Sequence, residues 1–145
     1  MIVPDVNLLL YAVIDGYPHH DAAHEWLRGA IQGPEPVGLS APAIFGFVRL
    51  ATSSRVHTHP LSVHQARCYV EEWLARPHVT VLAPGPGHVR IALDLLDGLG
   101  TGGTLTTDAQ IAANAIEYGG TVFSNDADFG RFPGLRWTNP LAGGA

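Results

Sequence analysis

The stretch Ile2-Val3-Pro4-Asp5-Val6-Asn7-Leu8-Leu9-Leu10-Tyr11-Ala12 decides how this chain folds. A short apolar run leads to one carboxylate, and a second apolar run follows it. If Ile2 and Val3 lie in a buried parallel strand, Asp5 stands at its carboxyl end. In open α/β sheets that edge is where ligands bind. Pro4 has no N–H to give to a sheet ladder, so it has to fall where the strand stops. Two further acidic places occur in similar settings far along the chain: Thr106-Thr107-Asp108-Ala109 and Ser124-Asn125-Asp126-Ala127-Asp128-Phe129. The expectation is a fold that brings these three places together.

Working outward, residues 7–14 are apolar on nearly every side and predict a buried helix. Pro18-His19-His20-Asp21 opens a second helix through about residue 31, with Ala22, Ala23, Trp26, Leu27, Ala30 and Ile31 at one-face spacing. Gly33-Pro34-Glu35-Pro36 breaks it. Val37–Ser40 reads as a second strand, followed by a helix over 42–53 with Pro42 near its start. Ser62 is a candidate N-cap for a helix through Ala75, with Val63, Ala66, Val70, Trp73 and Leu74 inward. Val79–Leu82 reads as strand three. A helix over 88–96, a glycine-rich loop at 98–103, and a helix opening at Thr107 or Asp108 follow. Gly119-Gly120 ends that helix. Strand four spans 121–124, and Arg136–Thr138 makes a short fifth. Strands alternating with helices imply a mostly parallel sheet covered on both faces.

The 145 residues suit one domain, and a hydrophobic fraction of 46 % supplies its core. The formal net charge is -5, with 13 acidic residues against 8 basic ones. That balance lacks the usual basic footprint of a nucleic-acid binder. If the chain handles RNA or DNA, a divalent cation has to offset the local repulsion. Every basic residue is Arg and none is Lys; Arg is the better partner for bidentate phosphate contacts. Cys68 stands alone, which excludes an intrachain disulfide, and is expected to be a small buried hydrophobe. Asp5 and Asp15 interrupt the apolar start and no basic residue precedes it. The expectation is a cytoplasmic protein with no membrane association.

Asp5 and Asp126 each follow a short β-like run, and Asp108 sits at a helix start. A parallel sheet lines up such places along one edge. Carboxylates gathered there repel one another unless a cation compensates them. Hard oxygen ligands suit Mg²⁺ or Mn²⁺, and such ions can supply hydroxide for displacement at phosphorus. The chemistry these residues would serve is phosphodiester hydrolysis. Each also has a plainer use: Asp5 and Asp108 as helix caps, Asp126 and Asp128 as turn residues.

In combination, Asp5-Val6-Asn7-Leu8-Leu9, Thr107-Asp108-Ala109 with Ala112-Ala113 behind it, and Ser124–Phe129 resemble the motifs of PIN-domain ribonucleases. Within that family the resemblance is to the VapC-type toxins of bacterial toxin–antitoxin pairs. It runs from residue 1 to about 141, taking in Phe45-Gly46-Phe47-Val48-Arg49 and Arg131-Phe132-Pro133-Gly134-Leu135-Arg136-Trp137. The resemblance implies a PIN-like three-layer α/β/α sandwich with a mostly parallel four- to five-stranded sheet. That domain would span 1–141, ahead of a disordered tail at 142–145. It also implies a Mg²⁺- or Mn²⁺-dependent endoribonuclease, and a homodimer neutralised by a small antitoxin. By the same resemblance Asp5, Asp108 and Asp126 hold metal, Asp128 joins them in catalysis, and Asn7 and Ser124 orient the carboxylates. One position departs from the pattern. Many members of the family carry Glu in a Ser-x₅-Glu spacing after strand two, and counting from Ser40 that place is Gly46. A helix-interior Gly costs roughly 1 kcal/mol against Ala, so it needs a reason: backbone access for RNA or a partner, or packing against the first helix. Arg49, one turn on, is a candidate phosphate contact or a partner for an acid of the site. Arg131 and Arg136, which flank the last acidic motif, are candidate phosphate contacts, with pairing to surface acids as the plainer use.

Rival readings are weaker. A haloacid-dehalogenase-like phosphatase wants Asp-x-Asp and a Lys, but Asn7 fills the second place and Lys is absent; a receiver domain fails for the same missing Lys. The runner-up is a catalytically impaired PIN-like module acting through partner or RNA binding. His20 with His24, and His57 with His59, lack a third ligand at matching spacing and read as solvated side chains. The glycines at 98–103 follow a helix and so do not fit a dinucleotide fingerprint. Trp26 and Trp73 read as core. Glu117 lies too far along its helix from Asp108 to replace the missing acid.

Overall fold

The computed structural model describes residues 1–142. Five strands form one parallel sheet: β1 (Ile2–Pro4), β2 (Val37–Ser40), β3 (Val79–Leu82), β4 (Thr121–Phe123) and β5 (Trp137–Thr138). Their spatial order is β3-β2-β1-β4-β5. The helices are α1 (Val6–Val13), α2 (His20–Gln32), α3 (Ala41–Ala51), α4 (Val63–Leu74), α5 (His88–Leu99) and α6 (Leu105–Glu117), with a 3₁₀ turn at Ala127–Arg131.

This order explains where ligands can bind. From β1 the chain steps outward through β2 to β3. It then returns across the sheet to β4 on the other side of β1, and continues to β5. Right-handed crossovers in opposite directions place helices on both faces. β1 and β4 are neighbours whose following segments leave in opposite directions, which makes the gap beyond their carboxyl ends the topological switch point.

Pro4 sits in the central strand without breaking it. In a parallel strand successive N–H groups point to alternate neighbours. Ile2 donates to Pro36 O on the β2 side and Asp5 donates to Phe123 O on the β4 side, at 2.8 and 2.9 Å. The missing N–H of Pro4 therefore faces β2, where paired register is confined to Ile2 with Val37. On the β4 side register runs unbroken through Pro4 opposite Phe123.

The helices follow local chemistry. Asp5 caps α1 by accepting from Val6 N, and Leu8, Leu9, Leu10 and Ala12 of that helix are buried. Ser40 caps α3 by accepting from Ala43 N, and Ser62 with Gln65 forms a capping box on α4. In α6, Ala109, Ile111, Ala112, Ala113 and Ala115 are all buried, so the helix sits close to its neighbours. α1 packs on α2 and α3, and α5 packs on α6.

Several expectations need correction. α5 runs to Leu99, past the expected end at Leu96, because Gly100 at φ 69° supplies the left-handed residue that stops it. α6 opens at Leu105, ahead of Thr107, so Asp108 lies inside its first turn and does not cap it. Cys68 is exposed, as is Val63; both are on the outer side of α4, which buries Ala66 and Trp73 instead. Trp26 is half-buried and stacks on Phe123, ring centroids 5.4 Å apart. Of the expected tail at 142–145, all but Ala142 lies outside the described residues.

Candidate active site

Ser124 is the hub of the switch point. It directly follows β4, is fully buried, and its N–H bonds to Thr138 O of β5. Its hydroxyl donates to Asp5 Oδ2 at 2.7 Å. The same oxygen accepts from Asn7 Nδ2 at 3.2 Å and from Asp126 N at 2.9 Å. One donor and two acceptor sites are all a hydroxyl has, so its orientation is fixed. Asp5 is 5 % exposed; its other oxygen takes Val6 N at 2.7 Å. Asn7 Oδ1 accepts from Asn125 N, and Asn125 Oδ1 accepts from Asn139 Nδ2. Asp126 Oδ1 accepts from Asp128 N at 2.9 Å, closing the 3₁₀ turn. The cap foreseen for Asp5 and the turn foreseen for Asp126 are therefore present, and they also aim those two carboxylates, whereas Asp108 caps nothing.

Asp108 arrives from the opposite wall, on α6. Burial and the fields of Asp5, Asp126 and Asp128, in that order, push its carboxyl up to about 7. The Asp5 carboxyl is also raised, mainly by burial, against the lowering effect of its bonds to Ser124 and Val6. All four aspartates expected from sequence therefore share one electrostatic neighbourhood, with no basic side chain among the causes of either shift.

A cleft of about 360 Å³ opens from this cluster; Asp5, Asn7 and Asp108 line it together with Tyr11, Tyr17 and Arg49. Arg49 is exposed at its rim. Arg131 instead pairs with Asp128 at 3.7 Å, both side chains about half exposed. Arg136 bonds to Gly119 O and so closes the end of α6. Glu117 lies elsewhere, holding Gly85 N at 3.0 Å beside His88. The histidines expected to be solvated have structural work: His20 and His24 bond through Nδ1 to the carbonyls of Tyr11 and Ala12.

Gly46 is explained by packing. A Cβ there would stand 2.6 Å from Val6 Cγ2, so the glycine lets α3 lie against the first residue of α1. Sequence reasoning missed Tyr11 and Tyr17, because an aromatic in or beside a helix reads as core. It missed Asn139 because its partner, Asn125, becomes a neighbour only when β5 pairs with β4.

Among the described residues, no three Asp, Glu, His or Cys side chains stand close enough to cage an ion by themselves. This arrangement still fits Mg²⁺ or Mn²⁺. Such ions keep several waters and are held by one or two carboxylates plus substrate phosphate. The donors are all hard oxygens, and the raised Asp108 marks uncompensated negative charge.

Comparison with known proteins agrees with this picture. The PIN domain family model matches residues 2–135. Ribonuclease VapC33 of Mycobacterium tuberculosis is 54 % identical over 97 % of this chain and 99 % of its own. Ribonuclease VapC37 of the same organism is 40 % identical over 98 % and 99 %. Among solved structures, VapBC2 from Rickettsia felis, bound to a promoter DNA fragment, superposes with a TM-score of 0.68 at 20 % identity, covering 96 % of this chain and 98 % of that one. The sarcin-ricin-loop-cleaving toxin VapC20 of M. tuberculosis also gives 0.68, at 18 % identity over 94 % and 99 %. A family model spanning nearly the whole chain and end-to-end relatives at these identities place it plainly: the chain belongs to the PIN-domain family, among the VapC proteins.

Proposed function

We propose that this protein is a divalent-metal endoribonuclease, the toxin of a toxin–antitoxin pair, using Mg²⁺ or Mn²⁺. The observation that carries this reading is the gathering of Asp5, Asp108, Asp126 and Asp128 at the switch point, with Asp108 raised to about 7 by burial and its acidic neighbours. Full-length relatives named as ribonucleases support it. Asp5, Asp108 and Asp126 would hold the ion, one or two of them directly and the rest through its waters, with Asp128 beside them. The bound ion would supply hydroxide and offset charge developing on the phosphate. Ser124 and Asn7 keep the Asp5 carboxylate aimed without taking part themselves. Arg49 at the rim is suited to a backbone phosphate, whereas Arg131 is engaged with Asp128. A small antitoxin, a homodimer and a cytoplasmic setting complete the proposal. The antitoxin has support from solved neighbours that are VapBC assemblies. Among the described residues, no helix is long and apolar enough to cross a membrane.

The deciding experiment is RNA cleavage by antitoxin-free protein with added Mg²⁺ or Mn²⁺, with excess chelator, and with Asp5→Asn plus metal. Cleavage by the intact site with metal alone is expected. A catalytically impaired binding module is the second reading, and the observation on its side is Gly46, whose place for a side chain is filled by Val6. Metal-independent cleavage, or cleavage that survives Asp5→Asn, would sink the proposed mechanism.

A further inference from the structure

The cleft beside the carboxylates has a second wall that the metal chemistry does not use. Tyr11 comes from the second turn of α1, and Tyr17 from the turn that follows α1; both line the cleft with Asp5, Asp108 and Arg49. Their ring centroids are 4.8 Å apart with planes at 50°. Each ring is backed by an imidazole: His19 lies 5.4 Å from Tyr11, and His57 meets Tyr17 edge-on at 5.7 Å and 88°. The turn is tied down as well. His20 N bonds to Tyr17 O at 3.0 Å, and His20 Nδ1 bonds to Tyr11 O at 2.7 Å. Both tyrosines are half-buried, each in contact with an imidazole.

One narrow space thus offers carboxylates for an ion, a guanidinium for a phosphate and fixed aromatic rings. A nucleotide presents those same three needs. A volume of about 360 Å³ is near the small end of ligand sites, which run from about 300 to 1,000 Å³. It has room for one nucleotide. We infer that Tyr11 and Tyr17 form a stacking platform for one unpaired base next to the scissile phosphate, so that the RNA is selected for a base displaced from its stack. Stacking on aromatic rings tolerates any base, because each has a π-face. Sequence preference has to come from elsewhere, and the platform reads loop against helix. The inference rests on the nuclease reading for its biological meaning, but its binding event can be measured separately.

The test uses 2-aminopurine riboside 3′,5′-bisphosphate, whose fluorescence falls when the base stacks, titrated into the full chain with Mg²⁺. Quenching is expected with wild type and with Tyr17→Phe, which keeps the ring. With Tyr17→Leu the apparent affinity should fall about tenfold or more, in line with what one stacked base contributes. Equal quenching of wild type and Tyr17→Leu, or no quenching by wild type, overturns the platform whether or not the protein cuts RNA. Quenching that depends on the ring, without any RNA cleavage, would keep the platform and sink the nuclease reading. On an RNA that is cut, Tyr17→Leu should raise KM about tenfold with kcat unchanged. A fall in kcat with KM unchanged would overturn the inference, since the tyrosine would then not be holding the ground-state base. Thermal melts of both variants matching wild type exclude misfolding as the cause. A Tyr17→Leu chain that melts early is replaced by Tyr17→Phe compared on RNA with an abasic ribose at the cut site, where binding about tenfold weaker than to intact RNA is expected and equal binding overturns the platform.

Discussion

Ser124 has one proton and two acceptor sites, and Asp5, Asn7 and the Asp126 N–H take all three. Ser124→Ala removes the donor that holds the Asp5 carboxylate and leaves a buried acceptor unpaired. The expected loss is about 1–3 kcal/mol of stability, readable by urea unfolding. Metal affinity should fall about 10–100-fold, the usual cost of removing an outer support, readable by calorimetric titration. Wild-type affinity in Ser124→Ala would mean that the hydroxyl does not aim the ligand. Asp108 carries a pH signature. Its folded carboxyl keeps a proton up to about 7, against an ordinary value of 3.8, and Asp5 shifts the same way. Between those pH values the folded chain binds more protons than the unfolded chain, so stability falls as pH rises through that window. Metal-free protein should therefore have a higher urea midpoint at pH 5 than at pH 8, and Asp108→Asn should flatten the difference. A metal-free protein more stable at pH 8 would contradict the repulsion inferred here.

At the scale of elements, the contact of α1 with α3 depends on what is missing from one side chain. Gly46→Ala puts a Cβ 2.6 Å from Val6 Cγ2. Overpacking of that kind costs about 1–3 kcal/mol, and the gain in helix propensity returns about 1 kcal/mol. The net expectation is a lower melting temperature, restored by adding Val6→Ala. Additive effects in the double variant would show that the two residues do not meet. The same contact shows what sequence could and could not disclose. Asp5, Asp108, Asp126 and Asp128 were legible because each sits beside a strand end or helix start, and those signals are local. Alternation with helices implied the parallel sheet, but not its strand order, which only the structure gives. The fate of Gly46 was not legible, because it depends on which helix lies across α3 and at which residue. Arg131 was equally ambiguous, since i and i+3 on a turn bring it to Asp128 as readily as to a phosphate. Helix ends shifted for a similar reason: one left-handed glycine, Gly100, outweighs the local pattern before it.

For the molecule as a whole, the formal net charge of -5 and an acidic cleft oppose a polyanion. With chelator present, RNA should bind weakly and with a shallow salt dependence, since few phosphates displace counterions. Adding Mg²⁺ should tighten binding, measured by filter retention across a salt series. Tight, steeply salt-sensitive binding in chelator would point to a basic surface elsewhere. The hydrogen bond from Ser124 to Asp5 spans 119 residues and joins strands that pair across the middle of the sheet. Its consequence concerns birth as much as structure. Synthesis runs from the amino end, so the ribosome delivers the first carboxylate long before the hydroxyl that steadies it. Until β4 has emerged and docked on β1, the nascent chain holds the pieces of a cleft and no working edge. The activity of that cleft is thereby withheld during synthesis until β4 is in place.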